Sequence, residues 1–425
     1  MTTELVRIAV VGGGFANKGG EAMLLTVANE LHKRLGGLEI VMWGCRPTER
    51  DRALKAGLVP VSLPETRTRL HRAVWFLGGL IKHPRTLRTV LQTDGIQMMM
   101  SAVRGQYLTD QTGCVHAVVD VSGLAYRDAE NSRRTEMVSQ LVVRARAAGA
   151  ALIFMPQAWG PFTQASTRVA VRGLLRGPST AIYSRDMKSM DHLGSLFRPL
   201  QNPALMRSDI AFCFAKSPVQ DAGELLGHVG CSGTRPIVVL APNIRVYEHM
   251  GPEGGELLYV NVLTLVAQEL IDREGVDVVV QANEVGVSAD HRGDAWLCHR
   301  IHAQIDREGR SFVLAESMDA ASVRSLIGCC EMLIASRFHS LVFGLSQGVP
   351  CASIGWSHKY PQLLQRFGLE DFVFDFREVN ESLFLSRVFS LWEQRVHFRR
   401  QVLSELPTIW SEKMTCLILR RRPLK

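Results

Sequence analysis

Short runs of β-branched and apolar residues alternate with longer stretches of helical period along most of the chain. That alternation restricts the fold to parallel sheets wrapped by helices. In the N-terminal half the strand-like runs are residues 7–11, 39–43, 116–121, 151–155 and 181–183, and in the C-terminal half residues 236–241, 276–281, 312–315, 332–335 and 351–354. Two α/β domains follow, since 425 residues give room for two or three cores at about 150 residues per domain. The boundaries read from the sequence are 1–200 for the first domain, 201–234 for a linker with two prolines and weak periodicity, 235–385 for the second domain, and 386–425 for a C-terminal helical segment. Ligands of open parallel sheets sit beyond the carboxyl ends of the strands, so a substrate is expected in a cleft between two such domains.

Apolar residues at 46% and charged residues at 21% are those of a folded globular protein and exclude a disordered chain. The net charge of +8 favours anionic partners such as phosphates, acidic glycans or lipid head groups, and is too diffuse to indicate nucleic acid. Nine cysteines without a CxxC pair fit a reduced, cytoplasmic setting. The start of the chain does not read as a signal peptide, and the longest apolar run, residues 73–81, is far short of a membrane span. Residues 66–93 hold six Lys or Arg, two His and no acidic residue around Val74, Trp75, Phe76 and Leu77. This reads as a partly exposed surface helix, with peripheral contact to a membrane as the alternative.

Two loci carry residues suited to chemistry. After the first strand comes Gly12-Gly13-Gly14-Phe15-Ala16-Asn17-Lys18-Gly19-Gly20-Glu21-Ala22, followed by a helix marked by Leu24, Val27, Ala28, Leu31 and Leu35 and stopped at Gly36 and Gly37. A glycine-rich turn at a helix start offers backbone N–H groups to an anion or a sugar. The pattern only loosely approximates a dinucleotide fingerprint, and no nicotinamide site is expected. The second locus is Ser336-Arg337-Phe338-His339-Ser340 after residues 332–335. With residues 337–339 extended, the guanidinium and the imidazole face one side and Phe338 the core. Arg337 then offers a planar fork for an anion and His339 a proton near neutral pH. Asp120 stands at another strand exit as a candidate base or a turn cap. Asn243, Arg245, Glu284 and Asp290 follow strands in the same way, and Lys359 follows the run 351–354.

Three segments in order resemble the polysaccharide pyruvyl transferase family. Asn17, Gly19, Glu21 and Ala22 are similar to its N-x-G-D-E-A motif, with Gly20 where Asp is usual. Arg185, Asp186, Ser189 and Leu193 resemble its R-D-x-x-S-x-x-x-L element, with Ser208-Asp209-Ile210-Ala211-Phe212 standing for D-P-A-F. Arg337, His339 and the later Lys359 resemble its R-x-H block.

The resemblance implies two facing Rossmann-like domains of the GT-B kind, and transfer of the enolpyruvyl unit of phosphoenolpyruvate onto two hydroxyls of a sugar in a free or lipid-linked glycan, giving a cyclic ketal and phosphate. It implies neither metal nor cofactor. Arg337 and His339 would hold the phosphoenolpyruvate, with His339 the proton donor. Arg185 would be a second clamp, although a salt bridge with Asp186 explains it equally. Asn17, Gly19 and Glu21 would face the cleft from the N-terminal domain, where Asn17 and Glu21 touch acceptor hydroxyls or supply the base. The alternatives are a glycosyltransferase of the same fold using a nucleotide sugar, and a noncatalytic glycan-binding protein, to which the Gly20 departure points.

Overall fold

The structure is a computed structural model that describes residues 6–62 and 115–416, apart from 36, 129–137, 139–140, 143–144, 147–148, 178, 197–202, 216–221 and 285–292. The basic stretch 66–93 and Asp290 lie outside the described residues. Over those described, the chain forms two compact units, one of residues 6–14 and 27–206, the other of Phe15–Thr26 and Arg207–Cys416.

The first unit is built on a seven-stranded sheet of order β3-β2-β1-β4-β5-β6-β7. Its strands are β1 (Val6–Val11), β2 (Leu38–Trp43), β3 (Val59–Val61), β4 (Ala117–Asp120), β5 (Ala151–Gln157), β6 (Thr180–Ser184) and β7 (Leu205–Met206). Every pairing is parallel, with Val11 opposite Trp43 on one side and Asp120 on the other. Parallel strands need crossovers, and three of these helices are α1 (Lys18–Arg34), α2 (Ala165–Leu175) and α3 (Met187–Leu196). The second unit holds β8 (Ile237–Ala241), β9 (Asp277–Gln281), β10 (Ser311–Leu314), β11 (Met332–Ala335), β12 (Cys351–Gly355) and β13 (Val373–Asp375) in the order β10-β9-β8-β11-β12-β13, again all parallel. Its helices include α4 (Ile244–His249), α5 (Asp294–Gln304), α6 (Phe338–Leu345), α7 (Lys359–Gln365), α8 (Glu381–Glu393) and α9 (Arg395–Cys416).

The ten runs read as strands each form one, within a few residues of the expected ends. Their near-continuous apolar character follows from burial on both faces, as in Val238, Val239 and Leu240 of β8. Strands β3, β7 and β13 were not legible, being two or three residues long and without a run to mark them. In each unit the strand order reverses once, between β1 and β4 and between β8 and β11. At the first reversal Gly12 has φ +85°, and a Cβ there would lie 2.1 Å from Ser122 Oγ, so the two strand exits approach as only glycine permits.

The stretch 201–234 contains β7, the 3₁₀ turn Ile210–Cys213 and the short helix Ala222–His228. The 3₁₀ turn is anchored to α9. Ser208 donates its N–H and hydroxyl to the Glu412 carboxylate at 2.8 and 2.9 Å, and Arg366 donates to the same carboxylate at 2.7 Å. Burial opposes the Glu412 charge, but these donors outweigh it and hold the carboxyl below its ordinary range. A depressed carboxylate stabilises the fold above its unfolded pKa and loses that contribution as pH falls through the folded value. The wild-type protein should therefore lose more thermal stability between about pH 6 and pH 3 than Glu412→Gln does, as read by melting curves across that range.

Candidate functional site

The exits of β8 and β11 are tied together by buried polar groups. Asn243 caps α4 by accepting from the Arg245 N–H at 2.9 Å, and its amide donates to the Ser336 carbonyl at the same distance. Tyr360 donates to that carbonyl at 2.8 Å, and Tyr259 accepts from the Asn243 N–H at 3.0 Å. Burial pushes the Tyr259 phenol well above its ordinary value, so it stays neutral. The turn leaving β11 is thus fixed before any ligand arrives.

Arg337 is the extended N-cap of α6 (φ −99°, ψ 121°), and the helix begins at Phe338. The expected extended run 337–339 therefore stops after its first residue, because the backbone becomes helical and the two-residue alternation no longer holds. Arg337 donates to Glu284 at 2.7 Å and to Asp294 at 2.5 Å. Asp294 is fully buried and also accepts the backbone N–H groups of Ile244 and Glu284, each at 3.0 Å. Burial works against the guanidinium charge, yet Asp294 and Glu284 outweigh it and hold Arg337 above its ordinary value. Its Nε, also buried, has no hydrogen-bond partner among the described residues, nor has the hydroxyl of the fully buried Ser340.

His339 sits in the first turn of α6, with Phe338 edge-on at 5.5 Å. Its ring lies directly over Gly19, where a Cβ would come within 2.0 Å of it. Asp209 Oδ2 is 3.7 Å from its Nε2. The neighbouring residues of the first locus belong to this same unit. Asn17 caps α1 by accepting from the N–H groups of Gly19 at 3.0 Å and Gly20 at 3.2 Å, and forms an isolated antiparallel bridge with Glu284. What the cap uses at position 20 is the backbone N–H, which Gly20 supplies as well as an Asp would.

Glu21 is buried and sits 3.4 Å from the equally buried Lys18, whose ammonium donates to the Phe15 carbonyl at 3.1 Å. Lys359 has its ammonium 5.1 Å from the ring centres of Phe338 and Trp356 and 5.5 Å from that of Tyr360, a cation–π arrangement that places it next to the Arg337–His339 turn. Arg245 is exposed and ion-paired to Glu248 on its own helix at 2.7 Å. Cys298 is fully buried, and burial followed by the nearby Asp294 pushes its thiol well above the ordinary value, so it is no nucleophile.

Asp120 and Arg185 are carried by the other unit. Asp120 is buried, accepting from the Tyr126 hydroxyl at 2.6 Å and from the Ser122 N–H at 2.8 Å, which is the turn-capping role. Arg185 is partly buried, its N–H donating to the Gln157 carbonyl at 3.2 Å, and Asp186 caps α3 through the Ser189 N–H at 2.7 Å. Asn17, Gly19, Glu21, Asn243, Arg245, Glu284, Arg337, His339 and Lys359 all lie in the second unit. Reading the sequence alone gave no role to Asp209, Asp294, Lys18 or Tyr259. Only the Asp209 signal was there to be used, as part of a recognised motif.

Two outcomes follow from this geometry. Asp294→Ala leaves Arg337 without one of its two carboxylates and two backbone donors without an acceptor, and should cost about 3–5 kcal/mol in denaturant unfolding. Gly19→Ala forces the His339 ring aside and should cost about 1–3 kcal/mol while shifting the His339 imidazole resonances.

The family model for polysaccharide pyruvyl transferases matches residues 17–358, which include the first two motif segments and the third up to the residue before Lys359. An amylovoran biosynthesis protein, AmsJ of Erwinia amylovora, is 21% identical over 157 residues, 36% of this chain and 38% of that protein. The match thus spans well under half of that relative's length. Among solved structures, UDP-GlcNAc 2-epimerase from Neisseria meningitidis bound to UDP-GlcNAc superposes with a TM-score of 0.58 at 10% identity, covering 96% of this chain and 99% of the other. Anabaena HepE in complex with UDP-glucose gives 0.57 at 11% identity, covering 96% and 98%. At such identity the likeness is one of fold, two Rossmann-like units of the GT-B type. The family match extends over well more than half of the sequence, from the α1 cap to the residue before Lys359, and the chain belongs to the polysaccharide pyruvyl transferase family.

Proposed function

We propose that this protein is a ketal-pyruvyl transferase that uses phosphoenolpyruvate as donor and a sugar of a polysaccharide or glycan precursor as acceptor. The observation that carries the reading is that residues of all three family motifs meet at one imidazole. His339 has Gly19 of the first motif against its ring, Asp209 of the second beside its Nε2, and Phe338 of its own at its edge.

The chemistry asks for a proton donor, anion-binding groups and a base. His339 gives a proton to the methylene carbon of phosphoenolpyruvate, whose π electrons form the new C–H bond and leave positive charge on the adjacent carbon. A sugar hydroxyl attacks that carbon, phosphate leaves with its bridging oxygen, and a second hydroxyl closes the ring. Arg337 meets the donor through Nε–H while its other nitrogens remain on Glu284 and Asp294. A buried donor with no partner costs about 1–3 kcal/mol, which a bound anion recovers. Lys359 adds a cation beside the same turn. Asn17 and Gly19 present the acceptor side, with Glu21 as the base. The donor carries its own activated group, so this reading includes no cofactor. A lipid-linked acceptor, with residues 66–93 at the membrane surface, extends the same reading. No described helix is long and apolar enough to cross a membrane.

Calorimetric titration with phosphoenolpyruvate and, separately, UDP-glucose tests the donor. Phosphoenolpyruvate alone should bind, and His339→Ala should lower phosphate release in the presence of glycan acceptors by 100-fold or more, within the range expected for a lost acid catalyst, about 10²–10⁴. Binding of UDP-glucose without phosphoenolpyruvate would overturn the reading in favour of glycosyl transfer.

A further inference from the structure

We infer that Asp209 is the positioning residue for His339, orienting the imidazole and favouring its protonated form for delivery of a proton to the donor. The inference rests on the phosphoenolpyruvate reading given above. Asp209 is buried, and its two carboxylate oxygens have separate tasks. Oδ1 accepts the Ala211 N–H at 2.9 Å and starts the 3₁₀ turn Ile210–Cys213, while Oδ2 lies 3.7 Å from His339 Nε2. The preceding residue is held by α9, since Ser208 donates twice to Glu412 and receives a hydrogen bond from Arg366 at 2.5 Å. The carboxylate is therefore pinned on both sides of its own backbone.

The imidazole is confined sterically. Gly19 blocks one side of the ring and Phe338 stands at its edge. Among the described residues, the charged side chains around this turn include Lys18 and Glu21 of α1, paired at 3.4 Å, Arg337 at the N-cap of α6, paired with Glu284 and Asp294, Lys359 of α7 among its aromatic rings, and Asp209. The Lys18–Glu21 pair is neutral within itself, and the Arg337 group carries one net negative charge, with both carboxylates turned to Arg337 and Asp294 also accepting two backbone N–H groups. Asp209 places a carboxylate at ion-pair distance from the imidazole, and an anion there favours the imidazolium. A separation of 3.7 Å exceeds a hydrogen bond, and contacts of this kind tighten when substrate is bound. In the step itself the N–H bond of the imidazolium breaks as the C–H bond of the new methyl group forms. Of the two protons shed by the acceptor hydroxyls, one passes through the base back to the neutral imidazole and the other leaves with phosphate.

Asp209→Asn separates the two tasks, because its amide oxygen still accepts the Ala211 N–H while the charge is gone. The full chain, labelled at histidine and assigned with His339→Gln, is titrated by NMR alongside kcat and KM for phosphoenolpyruvate. In Asp209→Asn the His339 midpoint should fall by about one pH unit. kcat should fall about 10- to 100-fold with KM within about twofold, and Asp209→Glu should restore most of the loss. An unmoved His339 midpoint overturns the inference, whatever happens to turnover, because a merely structural Asp209 would lower activity without touching the titration. A moved midpoint in a protein that never turns over phosphoenolpyruvate sustains the Asp209–His339 coupling and discards the donor reading instead.

Discussion

A buried carboxylate holds the second unit's working edge together. Asp294 accepts two backbone N–H groups from the exits of β8 and β9 and one guanidinium from the exit of β11. Three neighbouring strands of the sheet thereby converge on a single side chain. A charge taken out of water this completely is sustained only by matched partners, and Asp294 has three. The Ser336 carbonyl, bound by Asn243 and Tyr360, fixes the same turn from the other side. His339 follows two residues after Arg337, so its place is inherited from this lock.

The lock also changes how Arg337 acts. An arginine read from sequence as an open fork for an anion is committed to Glu284 and Asp294 through two of its three nitrogens. It works as part of the frame, and its Nε–H is the group without a hydrogen-bond partner among the described residues. Glu284 in turn bridges to Asn17, which caps α1 and sets Gly19 under the His339 ring. The chain of contacts runs from Asp294 to His339 both along the backbone and through the first motif. That double route brings motifs more than 300 residues apart in sequence to one place.

Strands and helices were legible because their signals are local. An apolar run such as 332–335 or the 3.6-residue stripe of α1 states its environment within a few residues. The short strands β3, β7 and β13 carry no such signal and were invisible. Candidate residues were named by type and motif, and the structure brings Asn17, Gly19, Arg337 and His339 into one unit. Their partners were less legible. Asp294 sits in the first turn of a helix, where an acidic residue ordinarily complements the dipole, and nothing local distinguishes it. Asp120 shows the converse, a strand-exit carboxylate whose hydroxyl and N–H donors make it a cap.

By itself the sequence determined two parallel α/β sheets, the order of their strands along the chain, and, through three ordered motifs, the family. Tertiary structure alone decided that residues 15–26 join the second unit, that Glu21 is buried against Lys18, and that Arg337 is shared between two carboxylates. The physical reason is separation. Arg337 meets partners 43 and 53 residues away, and His339 meets Gly19 and Asp209 across still longer stretches of chain. Such pairings are fixed by how the sheets close and which charges must be matched once water is excluded, neither of which a local pattern records.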